Sequence, residues 1–320
     1  MKIEVIYIPC TKRDFRLTRI CVASIRYWYP EIPIVLVKDL IFRDFDTSEI
    51  EQHFNVSIYP QNARIYGWGF SKFEVFLEES KKRFLLLDSD IVLAGPILEM
   101  LEKYNEDWVV FDEPFTMETL YRWYFDPEKI KIHDPEFSFP NFTFNTGQLV
   151  GFTGILKRHD FDKFIEWSEP RIQLFREAFT FGGEQPLLNY VLMKKLAKKE
   201  ITLHRLKFMV EGMSAESKGV LIERIKKREG YPFIIHWHDG KDGVMIPSMK
   251  NISRNDLLLF FEDLYYQKVG VNSFNQYLRI QYEYKLELLR VFMINTIRNN
   301  DKIRGILKGI VNRYDKLLRH

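Results

Sequence analysis

Over roughly the first hundred positions, short unbroken apolar runs alternate with stretches of helical spacing. IEVIYI (3–8) is apolar and β-branched, the signature of a strand buried on both faces. RLTRICVASIRYWY (16–29) repeats its apolar positions three and four apart and predicts a helix. IPIVLV (32–37) predicts a second buried strand, TSEIEQHF (47–54) a short helix and NVSIY (55–59) a third strand. GFSKFEVFLEES (69–80) predicts another helix and RFLLLD (83–88) a fourth strand. This βαβα order predicts an α/β fold with a parallel, doubly wound sheet, in which ligands gather at the carboxyl ends of strands.

The pattern changes at 113–142, where EPFTMETLYRWYFDPEKIKIHDPEFSFPNF mixes aromatics, prolines and acids without a clear period. A segment of this length predicts a lid or binding excursion over a site. A strand over 142–152 (FTFNTGQLVGF), helices over 159–179 and 184–198, and strands near 201–206 and 233–236 are expected next. Beyond about 250 the spacing is helical throughout. Two units are therefore expected, 1–250 carrying the sheet and 251–320 as a helical extension packed on it.

The last stretch, DKIRGILKGIVNRYDKLLRH (301–320), sets Ile303, Ile306, Leu307, Ile310, Val311, Tyr314, Leu317 and Leu318 at helical spacing among basic residues. A basic amphipathic helix suits an anionic membrane surface. The same stripe would also serve packing on the helix expected over 273–297, or on a second subunit in a homo-oligomer.

Composition narrows the function. Of 320 residues, 46% are hydrophobic and 15% aromatic, ample for a packed core. A net charge of +3 leaves no broad footprint for nucleic acid. No apolar run is long enough to span a bilayer, and the N-terminus reads as a first strand, not a secretion signal. Cys10 and Cys21 form neither a disulfide framework nor a zinc spacing, which fits a reducing, cytoplasmic setting.

The chemistry concentrates at strand ends. In RFLLLDSDIVLAG, Asp88 and Asp90 follow an apolar strand with one residue between them. Two carboxylates so close are costly unless a cation joins them. Mg²⁺ and Mn²⁺ are commonly held by one or two carboxylates together with substrate phosphates. An alternative is the haloacid-dehalogenase-like phosphatases, which also place D-x-D-x-[TV] after a strand and use the first acid, here Asp88, as nucleophile. That strand normally opens their core, whereas three strands precede it here, and no convincing acidic pair follows a later strand.

IIHWHDGKDG (234–243) sets two histidines, glycines and a lysine after another apolar strand. Glycine admits backbone N–H groups close to an anion, and lysine adds a point charge for phosphate. FNTGQLVGF places Asn145 and Gly147 at a polar turn. FGGEQPLLNY places Glu184 and Gln185 at a helix start, where a carboxylate also suits the helix dipole. Lys72 alone reads as an ordinary helix lysine.

Together these stretches resemble the GT-A glycosyltransferases, and most closely the retaining, metal-dependent enzymes of glycosyltransferase family 8, which include glycogenin-like and galactosyltransferase members. The resemblance covers about residues 1–245. Lys72 and the D-S-D of 88–90 look like the donor-site basic residue and metal motif, and FNTG looks like F-N-[AS]-G. GGEQPLLN looks like D-Q-D-x-L-N, and HWHDGK like H-F-x-G-x-x-K.

The resemblance implies a GT-A, Rossmann-like sheet and transfer of a sugar from a nucleoside-diphosphate donor, a UDP-sugar first, to a glycan, lipid-linked or protein acceptor, with retention. It implies Mn²⁺, or Mg²⁺, held by Asp88, Asp90 and either His236 or His238; His236 is preferred because it ends the strand. It implies that Lys72, Asp88, Ser89, Gly240 and Lys241 hold the donor, with Pro9, Cys10 and Thr11 cradling the base. Asn145, Glu184 and Gln185 would meet the sugar or acceptor. In an inverting enzyme, Glu184 or Asp239 would serve as the base.

Three departures stand out: an extra residue between His236 and Gly240, Pro186 in place of the second acid of D-Q-D, and Asp242 after Lys241. A GT-A domain kept only for binding is a third reading, against which the retention of Asp88, Asp90, His236 and Lys241 argues.

Overall fold

A computed structural model of the chain describes residues 1–60, 66–67, 69–167, 172–175, 177–180, 182–238, 249, 251–272, 274–275, 278–282 and 285. Its strands are β1 (Val5–Thr11), β2 (Ile34–Asp39), β3 (Val56–Ile58), β4 (Arg83–Leu87), β5 (Ile91–Leu93), β6 (Trp108–Phe111), β7 (Gln148–Phe152), β8 (Ile165–Glu166), β9 (Gln173–Leu174), β10 (Leu203–Leu206), β11 (Met209–Glu211) and β12 (Ile234–His236). Its helices are α1 (Phe15–Trp28), α2 (Ser48–Phe54), α3 (Lys72–Phe76), α4 (Leu98–Leu101), α5 (Met117–Trp123), α6 (Pro127–His133), α7 (Glu184–Ala197), α8 (Ala215–Lys218), α9 (Ile222–Lys226) and α10 (Asn255–Lys268).

The fold is α/β, as the alternation predicted. Seven strands form one mainly parallel sheet in the order β10-β6-β7-β4-β1-β2-β3. The one departure from parallel is β7, which runs antiparallel to both β4 and β6. A small sheet, β11-β12-β5, stands beside it. The strand expected near 233–236 therefore belongs to this second sheet.

The apolar runs are continuous because both faces of the main sheet are covered. In β4, Leu85 and Leu87 join one core, while Phe84 and Leu86 join the other. In β1, Ile6, Ile8 and Cys10 face the first core, and Val5 and Tyr7 the second. The first core is closed by α1 and α10, the second by α3, α7 and the excursion.

Helix α10 lies on α1 through a buried ion pair, with the Arg16 guanidinium donating to both carboxylate oxygens of Glu262 at 2.6 and 2.8 Å. The first residues of the expected extension thus share the core of the sheet unit. Residues 274–275, 278–282 and 285 are also helical, and the tail 301–320 lies outside the described residues.

The excursion is a packed insertion, which corrects the expectation of a lid. Thr116 and Thr119 form a capping box at the start of α5, and Asp126 caps α6 with Pro127 in its first turn. Leu120, Tyr124, Phe125, Ile130 and Phe137 are buried in the second core. Asp134, fully buried after α6, accepts hydrogen bonds from Tyr190 and Lys194 of α7 and from Lys163, each at 2.5 Å. Irregular aromatic spacing here reflects tertiary packing, not a mobile loop.

The helix expected over 159–179 is also corrected. Ile165–Glu166 pairs antiparallel with Gln173–Leu174, a hairpin whose connection contains Pro170 in the sequence. Proline in a helix interior removes a hydrogen bond and clashes with the preceding turn. The helix of 69–80 is limited to α3, and the strand of 142–152 begins only at Gln148.

Candidate metal centre

Three elements deliver the central group. As β4 ends, the Asp88 N–H donates to the Gly147 carbonyl at 2.6 Å, which fixes the turn against the start of β7. The chain reverses into β5, which pairs antiparallel with β12 so that Ile91 lies opposite His236. The Trp237 N–H closes the end of that pair on the Asp90 carbonyl at 3.0 Å.

Asp88, Asp90 and His236 consequently converge, with one ligand atom from each within 4.8 Å of the others. His236 Nε2 is 3.2 Å from Asp90 Oδ1. Asp90 and His236 are only 1% and 2% exposed, whereas the Asp88 side chain keeps 29% of its surface and opens the group to solvent.

These residues fit a divalent cation. Two carboxylates and an imidazole form a mixed oxygen–nitrogen donor set of the kind that holds divalent cations. His236 Nδ1 is buried with no hydrogen-bond partner among the described residues. A β-carbon at Gly147 would stand 2.6 Å from His236 Cε1, 2.9 Å from Asn145 Oδ1 and 3.0 Å from Asp88 Oδ2. The glycine therefore keeps open a space between two of the three groups. Among the described residues this is the one such cluster of acids and imidazoles. The further acidic pair that a haloacid-dehalogenase-like site requires is not part of it.

Lys72 forms the second layer. It is 3% exposed, and its ammonium donates to Glu184 Oε1 at 2.6 Å and the Thr146 carbonyl at 3.0 Å, while Asp88 Oδ1 lies at 2.9 Å. Burial alone would lower its pKa, but the carboxylates of Asp88 and Glu184 outweigh that and hold it above the ordinary lysine range.

Glu184 starts α7 and is itself locked. Thr146 Oγ1 donates to its Oε1 at 2.9 Å. Its Oε2 would lie 2.1 Å from a β-carbon at Gly69, whose φ of +81° also favours glycine. The loop carrying Gly69 is held upstream by Asp39, which accepts from the Tyr66 N–H at 3.0 Å and the Gly67 N–H at 2.6 Å.

The FNTG loop is fixed from α7. The Asn189 amide accepts from the Phe144 N–H at 3.0 Å and donates to the Phe144 carbonyl at 2.9 Å. Gln185 Oε1 accepts from the Thr146 N–H at 3.2 Å, and Asn145 Oδ1 from the Gly147 N–H at 2.7 Å. Asn145 and Gln185 thus spend one acceptor each on the loop. Ser89 is buried between the two aspartates.

At the end of β1, Pro9 is buried and the Cys10 side chain lies in the first core, so Cys10 presents backbone only. Thr11 donates to Asp14 at 2.8 Å. His238 points elsewhere, with Nδ1 2.5 Å from Glu211 Oε2. Asp239, Gly240 and Lys241 lie outside the described residues.

Several contributors escaped the sequence reading. Thr146 and Gly69 serve Glu184, and Asn189 serves the loop. An asparagine inside the apolar run PLLNYVLM was the sequence signal available for it, and the structure buries it completely. Outside this group, just past β6, burial raises the Glu113 pKa and Glu211 adds to the effect, against the Tyr124 hydroxyl, which donates to it at 2.5 Å, and His238.

No protein-family model and no curated protein matches the chain. Similar solved structures include the bifunctional glycosyltransferase WbbM, with 11% identity over 88% of this chain and 52% of that one, at a TM-score of 0.49. The chain thus spans about half the length of WbbM. The galactosyltransferase LgtC, in complex with donor and acceptor sugar analogues, shares 14% identity over 81% of this chain and 95% of its own, at 0.47. GlyE, a glycosyltransferase of Streptococcus pneumoniae, shares 13% over 84% and 63%, at 0.44.

Proposed function

We propose that this chain is a metal-dependent glycosyltransferase that moves a sugar from a nucleoside-diphosphate donor, a UDP-sugar first, to a glycan, lipid-linked or protein acceptor. The observation that carries the reading is the convergence of Asp88, Asp90 and His236 beside a buried lysine at the carboxyl end of β4. Asp88, Asp90 and His236 would hold Mn²⁺, or Mg²⁺. When bound, the cation would neutralise charge on the donor diphosphate as the sugar–phosphate bond breaks.

The chain's own residues do the rest. Lys72 adds a fixed positive charge behind Asp88, favouring an anionic leaving group. Gly147 keeps the space beside His236 open, and the backbone of Pro9–Thr11 with Ser89 would border the nucleoside. Gly240 and Lys241 would supply further donors to the diphosphate, and Asn145 and Gln185 would orient the sugar. Retention suits a site whose buried carboxylate, Glu184, is engaged by Lys72 and Thr146 and is therefore not a free base. Residues 301–320 would attach the protein to the inner face of a membrane, close to a lipid-linked acceptor.

A panel of nucleotide-sugars incubated with the protein and Mn²⁺ tests the reading by release of free nucleoside diphosphate. Metal-dependent release from one sugar class is expected. Release of inorganic phosphate from phosphate monoesters, with none from nucleotide-sugars, would overturn it.

A further inference from the structure

We infer that the buried Lys72–Glu184 pair sets the charge of the metal centre, so that the cation binds weakly alone and firmly only together with a diphosphate. The inference rests on the metal reading above. It makes Glu184 a positioning residue that acts through Lys72, in place of a group that touches the substrate.

Lys72 Nζ lies 2.9 Å from Asp88 Oδ1, while Asp88 Oδ2 borders the open space at Gly147. The ammonium and an incoming cation would thus share one carboxylate. Lys72 cannot swing away, because Glu184 and the Thr146 carbonyl hold it at 2.6 and 3.0 Å. Glu184 in turn is fixed by Thr146 Oγ1 and seated on Gly69.

Asp88, Asp90, Glu184 and Lys72 together carry a formal charge of −2. Two phosphates bring further negative charge, which the same ammonium attracts. Lys72 therefore opposes the bare cation and favours the cation–diphosphate combination. By linkage, each ligand strengthens the other by the same factor.

The two members of the pair make opposite predictions. Lys72→Met leaves a local charge of −3, Glu184→Gln leaves −1, and the double variant restores −2. Mn²⁺ affinity without nucleotide, read from the free-ion electron paramagnetic resonance signal, should rise about tenfold in Lys72→Met and fall about tenfold in Glu184→Gln. The double variant should return close to the wild type. UDP should strengthen Mn²⁺ binding in the wild type and much less in Lys72→Met.

A purely structural ion pair would weaken the site whichever partner was lost. Affinities moving in the same direction would overturn the inference while leaving Mn²⁺-dependent UDP binding by the wild type, and so the function, intact. If Lys72→Met does not fold, the double variant must still bind Mn²⁺ more tightly than Glu184→Gln; equal or weaker binding overturns the inference. A wild type that binds no Mn²⁺ with or without UDP overturns the metal reading itself, and this inference with it.

Discussion

Gly147→Ala adds one methyl at the centre of the site, where the available space is known. The new β-carbon would lie 2.6 Å from His236 Cε1, roughly 1 Å inside the usual 3.5–4.0 Å separation of carbon atoms. The backbone around His236 cannot yield easily. Its carbonyl accepts from the Gly212 N–H at 2.8 Å, and the next N–H is tied to Asp90 at 3.0 Å. The low-energy response is rotation of the imidazole, which takes Nε2 away from its 3.2 Å approach to Asp90. Ligand distances in metal sites tolerate only about 0.2 Å, so a shift of this size should cost roughly 100-fold or more in metal affinity. The fold itself should lose only about 1–3 kcal/mol, the usual cost of one extra methyl group in a packed site. Calorimetric titration of UDP in the presence of Mn²⁺, beside a denaturant melt, reads both quantities. Unchanged metal-dependent binding in a folded Gly147→Ala variant would refute the view that this space belongs to the cation.

His236→Ala should weaken Mn²⁺ binding far more than His238→Ala, because His238 pairs with Glu211 outside the triad; equal losses in the same titration would contradict that division. Asp134→Asn should lower stability by about 2 kcal/mol at neutral pH. Burial would raise the Asp134 pKa, but Lys163, Lys194 and Tyr190 outweigh it and bring it to about 2, so this contribution is present above about pH 4 and fades as pH falls towards 2. Denaturant midpoints of both proteins across that range should converge, and a constant gap would exclude the linkage. Truncation to residues 1–300 should abolish co-sedimentation with anionic vesicles while leaving Mn²⁺-dependent UDP binding in place. Equal sedimentation of both chains, or an insoluble truncation, would assign the 301–320 stripe to packing instead.

What could be read from the sequence follows the physics of burial. Strands covered on both faces, such as β1, β2 and β4, announce themselves as continuous apolar runs, and the carboxylates stand out because they end one. The short strand Trp108–Phe111 is also apolar, but it sits between NED and DEP and is too brief to declare itself. Nothing local reveals that β7 enters the sheet antiparallel, or that β5 and β12 leave it for a second one, since both depend on distant pairing. The excursion misleads because its aromatics fill a core shaped by α7 instead of following one helical face. At the site, Asp88, Asp90 and His236 were legible as residue types at strand ends. The tie from Lys72 to Glu184 joins positions 112 residues apart, and only the fold brings it about.

In the proposed site, Asp88, Asp90 and His236 hold a cation which in turn holds a nucleoside diphosphate. The most direct measurement is calorimetry of UDP with the wild type and with Asp90→Ala, each with and without Mn²⁺. UDP binding by the wild type should require Mn²⁺ and should vanish in Asp90→Ala, with the variant still folded by circular dichroism. Binding that ignores the metal, or that survives in Asp90→Ala, would contradict the account.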